Sequence, residues 1–434
     1  MENIKKINHV SFIKNRFLLL FFFVILEGAI KKWFIPNSSF YLILIKDLIV
    51  LSCISYGFKN YLYKLNSPFE KGVFLWTVLI IVWMLFQVIV NSSSLWIMLI
   101  GLRNWVLYLW FSLICYRVLN LKDLTFIIKI IILSIIPLAI ISVAQHFLPV
   151  EHFLNDLPGD GYIFQVIPGI VRTTSTFSFA YGYTQYLMFV CPLIFALIIS
   201  DLDLNLNKLI YTIIIASFIL AVVTSGSRGT IVYSAAMLLP LLFGLTQAQA
   251  SIKKIFLIIL IVLISYFAVT IFFANALEAT TQRFEIANQS ENSYQRLISV
   301  IFGSSDTWRN LTIFGKGIGL GSNAAELFLG QGNTIFLLGE FETDRIINEA
   351  GLLGITFMLI KFISISFLFK SISILKNQKK ALPFIYWSYL TIHILTSTLT
   401  GQITSHAFTY LALAIGLVLI KDEANSNSQQ NNNI

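Results

Sequence analysis

The chain has 434 residues, 57% hydrophobic and only 12% charged, with a net charge of +9 and a mean hydropathy of +0.81. A soluble domain carries about 25% charged residues, so this composition excludes an ordinary soluble fold and makes the bilayer the solvent for much of the chain. The positive balance is not a nucleic-acid footprint, because the lysines come in short clusters between apolar runs, as cytoplasmic anchors do.

A helix needs roughly 20 apolar residues to cross a bilayer. Runs of that kind fall near 16–35, 40–58, 72–91, 95–116, 124–148, 181–200, 208–224, 229–246, 253–275, 347–370, 383–400 and 404–420. The expectation is therefore an all-α integral membrane protein of about twelve spans: nine in 1–275, a large loop over 276–346, three more in 347–420, and a tail over 421–434. The N-terminus is basic and precedes an apolar run, but no small-residue cleavage site follows it, so the run reads as a retained first span. The tail "DEANSNSQQNNNI" is polar and of low complexity, a composition that favours disorder.

Orientation follows from the basic residues. With both termini in the cytoplasm, the inner loops carry Lys5, Lys6, Lys14 and Arg16; Lys59, Lys64 and Lys71; Arg117 and Lys122; Lys208; Lys253 and Lys254; and Lys370, Lys376, Lys379 and Lys380. The outer turns are poor in Lys and Arg, except for Lys31 and Lys32 at the end of the first span. The two long loops, near 149–180 and 276–346, then lie on the outer side.

Arg172, Arg228, Arg283, Arg296 and Arg309 then all fall on the outer face, against the orientation bias. Arg228 lies between small residues in "TSGSRGT", where glycines let a backbone approach a ligand and N–H groups face an anion. Arg172 is followed by the hydroxyl run "TTST". A guanidinium is planar, always charged and suited to bidentate phosphate contacts. Several converging on one cavity make a site for a polyanion such as a lipid-linked diphosphate. Snorkelling to headgroups is the plainer alternative, and it suits Arg296 and Arg309 best.

The segment "GEFETDRIINEAGLLG" gathers Glu340, Glu342, Asp344, Arg345 and Glu349 before a span. Arg345 and Glu349 are four apart and share a helical face. Glu340 and Glu342 stand at the loop-to-helix junction, where a carboxylate can reach a bound sugar, or compensate a helix N-terminus. Arg103 lies inside a span and should face the bundle interior or water, as a structural tie or a supporting group. Asp47 beside Lys46 suggests an intramembrane pair, and Glu27 has the same status. The histidines at 9, 146, 152, 393 and 406 read as interfacial. Cys53, Cys115 and Cys191 sit in apolar segments with no metal spacing. No Walker or zinc motif occurs, so no metal or cofactor is expected. The run "GKGIGLGS" reads as a flexible turn near a ligand.

Five stretches, "LEGAIKKWFIP", "VRTTSTFSF", "TSGSRG", "FGKGIGLGS" and "INEAGLLG", resemble motifs of the O-antigen ligase and polymerase superfamily of bacterial inner-membrane glycosyltransferases. The resemblance implies a many-spanning C-type fold with an external catalytic cavity. It also implies metal-independent use of undecaprenyl-diphosphate-linked sugars as donor and acceptor, with Arg172 and Arg228 on the diphosphate and Arg283 a further candidate. Ligases of the group carry a histidine before "E-x-G-x-x-G"; at that offset this chain has Glu340. That departure favours a polymerase of O-antigen, capsule or exopolysaccharide repeat units, with Glu340 or Glu342 as proton acceptor. A ligase moving glycan to lipid A core or protein is the alternative, as is a flippase for the lipid-linked oligosaccharide. A chain-length regulator is an open partner.

Overall fold

The computed structural model describes the chain apart from residues 1, 37, 92–94, 159–162, 164, 168, 200–203 and 432–434, and most of 248–292 and 324–340. Most of the span expected near 253–275, together with Arg283 and Glu340, therefore lies outside the described residues.

The described chain is almost wholly helical. Helix α1 is Glu2–Ala29, closed by a π-helical turn at Ile30–Phe34; α2 is Ser39–Lys59 and α3 is Pro68–Asn91. Helix α4, Leu95–Val118, contains a π-helical turn at Arg103–Leu107; α5 is Leu121–Phe147, α6 Ala180–Ile199, α7 Lys208–Thr224 and α8 Arg228–Gln247. Two short helices follow, α9 (Ser293–Phe302) and α10 (Ser305–Arg309). Helix α11 (Glu342–Ala350) turns at Gly351 into α12 (Leu352–Gln378), and α13 (Leu382–Thr396) and α14 (Ile403–Asn431) close the chain. Among the described residues, eight helices are long and apolar enough to cross a membrane, and the protein is an all-α multi-pass membrane protein. A 20-residue helix rises about 30 Å, the thickness of the hydrocarbon core. Local signals set several starts: Asn120 and Asp123 form a reciprocal capping box on α5, and the Asn207 side chain accepts from Ile210 N on α7. Helix α14 runs on past Lys421 into the polar tail, where composition argued for disorder; that stretch holds no Gly or Pro to stop it.

The core runs through α6, α13 and α14, whose side chains are buried almost all round, while α2, α3, α8 and α12 keep broad apolar faces turned outward. A helix apolar on every side suits both situations in a bilayer. Basic residues mark one end of the bundle: Lys421 Nζ donates to the carbonyls of Tyr116 and Leu119, and Arg117 pairs with Glu70. The other end gathers the turns after α1, α5, α7 and α13 and the segment leading into α12.

Buried charges are neutralised inside the bundle, and the partners differ from the sequence expectation. Lys46 pairs with Glu27, which also takes Lys31, while Asp47 accepts from Arg103 Nε at 2.6 Å and from the Tyr108 hydroxyl at 3.0 Å. Adjacent residues on a helix do not face one another, so Lys46 and Asp47 cannot pair. Lys31 and Lys32, the exceptions to the orientation rule, both turn inward: Lys32 Nζ donates to Thr174 Oγ1 at 2.8 Å and to the Ser175 carbonyl at 2.6 Å. Cys53, Cys115 and Cys191 are free and buried. His393 and His406 are buried inside the bundle, 1% exposed. Each holds its ring in place, His406 through the Leu399 carbonyl and His393 through Thr409 and Ser397.

Candidate functional site: a basic cavity at the gathered end

The hydroxyl run after Arg172 is a buried scaffold. Gln145 Oε1 accepts from Thr174 N at 3.1 Å and Ser175 N at 2.7 Å, and Ser175 Oγ donates to the Leu138 carbonyl at 2.8 Å. Thr176 Oγ1 donates to the Ile25 carbonyl at 2.5 Å. Ser175 has φ +49, an uncommon backbone for a residue with a side chain, held in place by these bonds. The hairpin of Gln165–Ile167 and Ile170–Val171 delivers the chain into this scaffold immediately before Arg172. Arg172 is thus fixed at its backbone before any ligand arrives.

The turn "TSGSRG" docks onto it. Thr173 Oγ1 donates to the Thr224 carbonyl at 3.0 Å, and Ser142 Oγ bonds both Thr173 Oγ1 and Thr224 Oγ1 at 2.7 and 2.8 Å. Gly226, at φ +58, lets α7 reverse into α8 and sits against Arg172: a Cβ there would lie 3.8 Å from Arg172 Cα and 2.5 Å from a Val166 methyl. Arg228 is then the first residue of α8, so a helix N-terminus with its partial positive charge accompanies the guanidinium.

Arg172 and Arg228 line one cavity of about 320 Å³. Its other walls come from α6 (Tyr181, Thr184, Gln185), from α8 (Tyr233) and from the end of α13 (His393, Thr396, Ser397). Gln185 is 2% exposed and Tyr233 8%, and neither Gln185 Oε1 nor the Tyr233 hydroxyl has a hydrogen-bond partner among the described residues. Buried polar groups are normally satisfied, so a wall with polar atoms to spare is suited to a polar ligand. His393, Tyr181, Gln185, Thr396 and Ser397 did not stand out in the sequence. The hydroxyl-rich run "TSTLTG" that follows His393 was the signal available.

The acidic cluster braces this end of the bundle. Glu342 is 3% exposed, and its Oε1 accepts from Leu399 N at 3.0 Å, Thr400 N at 2.7 Å and Thr400 Oγ1 at 2.7 Å. It holds the turn after α13, two residues beyond Ser397, and does not itself line the cavity. Three donors thus converge on this one oxygen. Arg345 Nη1 lies 3.5 Å from Glu342 Oε2, three residues back on the helix. Asp344 caps α10 from a distance, accepting from Ser304 N at 2.6 Å and Thr307 Oγ1 at 2.8 Å.

Glu349 has a different task. Its two oxygens accept from Gly319 N at 3.1 Å and Gly321 N at 2.6 Å, while Gln87 ties the Glu349 carbonyl and Ile318 N together. The run "GKGIGLGS" is therefore wrapped tightly around a carboxylate rather than flexible. Its glycines are required by closeness: a Cβ at Gly315 would lie 2.4 Å from the Glu349 carbonyl oxygen, and one at Gly321 would lie 2.6 Å from Arg345 Cγ. Burial pushes the Glu349 carboxyl up from 4.5 to about 7, against the pull of the Gly319 amide, Arg345 and the Gly321 amide. The folded protein thus keeps a proton that the unfolded chain releases. The stabilisation is complete below about pH 4.5 and is lost as pH rises through about 7. The melting temperature in detergent is expected to fall between pH 5 and pH 8, and Glu349→Gln to shrink that fall. An unchanged fall in the variant would contradict the assignment.

These features define a multi-pass membrane protein with a two-arginine cavity where its loops converge. The chain matches no family model, no curated protein and no solved structure.

Proposed function

We propose that this protein is a membrane glycosyltransferase that polymerises oligosaccharide units carried on undecaprenyl diphosphate, working at the periplasmic face of the bacterial inner membrane. The observation that carries the reading is the single cavity lined by both Arg172 and Arg228. A lipid diphosphate keeps its tail in the bilayer and emerges at the height where spans end, which is where α8 begins. The chemical barrier in glycosyl transfer is charge building on the departing diphosphate. Two guanidinium groups and a helix N-terminus in a partly dry site would stabilise that charge. The unsatisfied amide and hydroxyl groups of Gln185 and Tyr233 would hold sugar hydroxyls.

An acceptor hydroxyl attacks the anomeric carbon, the bond to the diphosphate oxygen breaks, and the anomeric centre inverts. A general base takes the hydroxyl proton, a contribution of about 10²–10⁴-fold. Glu340 is the carboxylate proposed for it. Glu342 is proposed to position the turn at 397–401, and Arg283 is proposed as a further arginine for the diphosphate. The ligase reading uses the same cavity and differs in the acceptor.

The test is elongation in vitro. Purified protein in liposomes, given a lipid-diphosphate-linked repeat unit alone, should yield a ladder of longer lipid-linked glycans with release of lipid diphosphate. Movement of the substrate across the bilayer without bond formation would make it a flippase. Transfer only after lipid A core is added would make it a ligase.

A further inference from the structure

A second cavity, of about 930 Å³, lies between α2, α3 and α4, and shares no lining residue with the arginine cavity. Its volume is at the top of the range for small-molecule sites. The wall is apolar almost throughout, with Leu51 and Phe58 of α2, Phe74 of α3 and Leu99 of α4 turned outward. Its charged groups are one ion pair, Asp47 with Arg103, both on the lining.

Arg103 is held but not used up. Its Nε donates to Asp47 Oδ2 and its Nη1 donates to Asn104 Oδ1 at 2.7 Å. Its Nη2 is buried, in a residue 8% exposed, and has no hydrogen-bond partner among the described residues. An unmet cationic donor inside a bilayer costs several kcal/mol unless a ligand or neighbour satisfies it. Arg103 also opens a π-helical turn, a rare distortion that recurs at functional sites. Nearby, among the described residues, Lys31 and Lys46 pair with Glu27 and Arg103 with Asp47, three cations on two carboxylates.

We propose that this groove seats one anionic phospholipid, its phosphate accepting from Arg103 Nη2 and one acyl chain lying along α2 and α4. Asp47 and Arg103 lie eight residues, about 12 Å, inside the N-terminal ends of α2 and α4, so the phosphate would reach below the outer interface, and the eleven residues on to Phe58 leave about 16 Å of helix for the acyl chain. Side chains on α2 and α4 slope toward their N-termini, which is the end from which the headgroup would enter. The site stands apart from the glycosyl-transfer reading and holds or fails without it.

Native mass spectrometry of the purified full chain tests it, with phosphatidylglycerol and phosphatidylcholine of equal chain length as probes. One phosphatidylglycerol should stay bound on activation, in at least ten-fold preference to phosphatidylcholine. The neutral, nearly isosteric double variant Arg103→Gln with Asp47→Asn should bring the two lipids to parity. Leu99→Trp or Leu51→Trp, which fill the groove and leave the ion pair intact, should lower phosphatidylglycerol occupancy at least ten-fold. The proposal is overturned by equal retention of both lipids in the wild type, or by unchanged occupancy in the filled variants. A dimer that the filled variants abolish would also overturn it, making the groove a protein interface.

Discussion

Arg228→Ala is expected to lower polymer elongation by a factor of at least about 10² while the protein stays at wild-type abundance in the membrane. Loss of one fixed donor to developing charge typically costs about 10²–10³ in rate. The structural cost should be small, because Arg228 begins a helix and alanine is well tolerated in a first turn. Arg228→Lys separates charge from geometry. A lysine restores the cation but presents a point charge in place of a planar fork, so it should recover only a small part of the activity. Full activity in Arg228→Lys would mean that charge alone is needed. Full activity in Arg228→Ala would remove the diphosphate site from this cavity. Arg172→Ala should resemble Arg228→Ala, and a double variant should lose little more than either alone, since groups that act as a unit are not additive.

Gly28→Ala is expected to be among the most damaging small substitutions for folding. A Cβ at this position would lie 2.1 Å from Ser178 N, 2.2 Å from Phe177 C and 2.4 Å from the Thr176 carbonyl oxygen. All three are backbone atoms that cannot swing aside. Overpacking a core against movable side chains costs about 1–3 kcal/mol; here a helix must move away from a pinned strand of chain, and the loss should exceed about 3 kcal/mol. Because Thr176 also bonds the Ile25 carbonyl, the movement would pass along the 172–176 scaffold to Arg172. Thermal unfolding in detergent and membrane abundance are the measurements. Gly72→Ala is the control: nothing lies within 4 Å of a Cβ there, and it should melt like the wild type. A Gly28→Ala protein that melts with Gly72→Ala would show that α1 does not pack on 176–178 as described.

The two expectations share a cause. The stretches singled out in the sequence interlock in pairs. "LEGAIKKWFIP" meets "VRTTSTFSF" through Gly28 and Lys32. "VRTTSTFSF" meets "TSGSRG" through Thr173 and Gly226. "FGKGIGLGS" encloses the Glu349 of "INEAGLLG". Most of the small and hydroxyl residues in these motifs build the frame, and Arg172 and Arg228 are what the frame presents. Gly401 follows the same logic, since a Cβ there would fall 1.1 Å from Arg345 Nη1, so that guanidinium lies in the space a side chain would need.

Hydropathy alone determined the class of protein and the positions of most described spans, because a 20-residue apolar run has one stable arrangement in lipid, with every backbone group bonded within the helix. Residue chemistry alone singled out Arg172 and Arg228, because a permanent charge beside a membrane span is conspicuous in such a composition. Only the tertiary structure decided which buried charges pair: it gave Lys46 to Glu27 and Asp47 to Arg103, since helical phase and the approach of other helices set what each side chain meets. It also decided that Glu342 braces a turn, that Glu349 holds a glycine-rich loop, and that His393 and Gln185 stand with the two arginines. Those relations join residues far apart in the chain. Short-range pattern carries no record of them, because they are fixed by how helices pack and not by the order in which they occur.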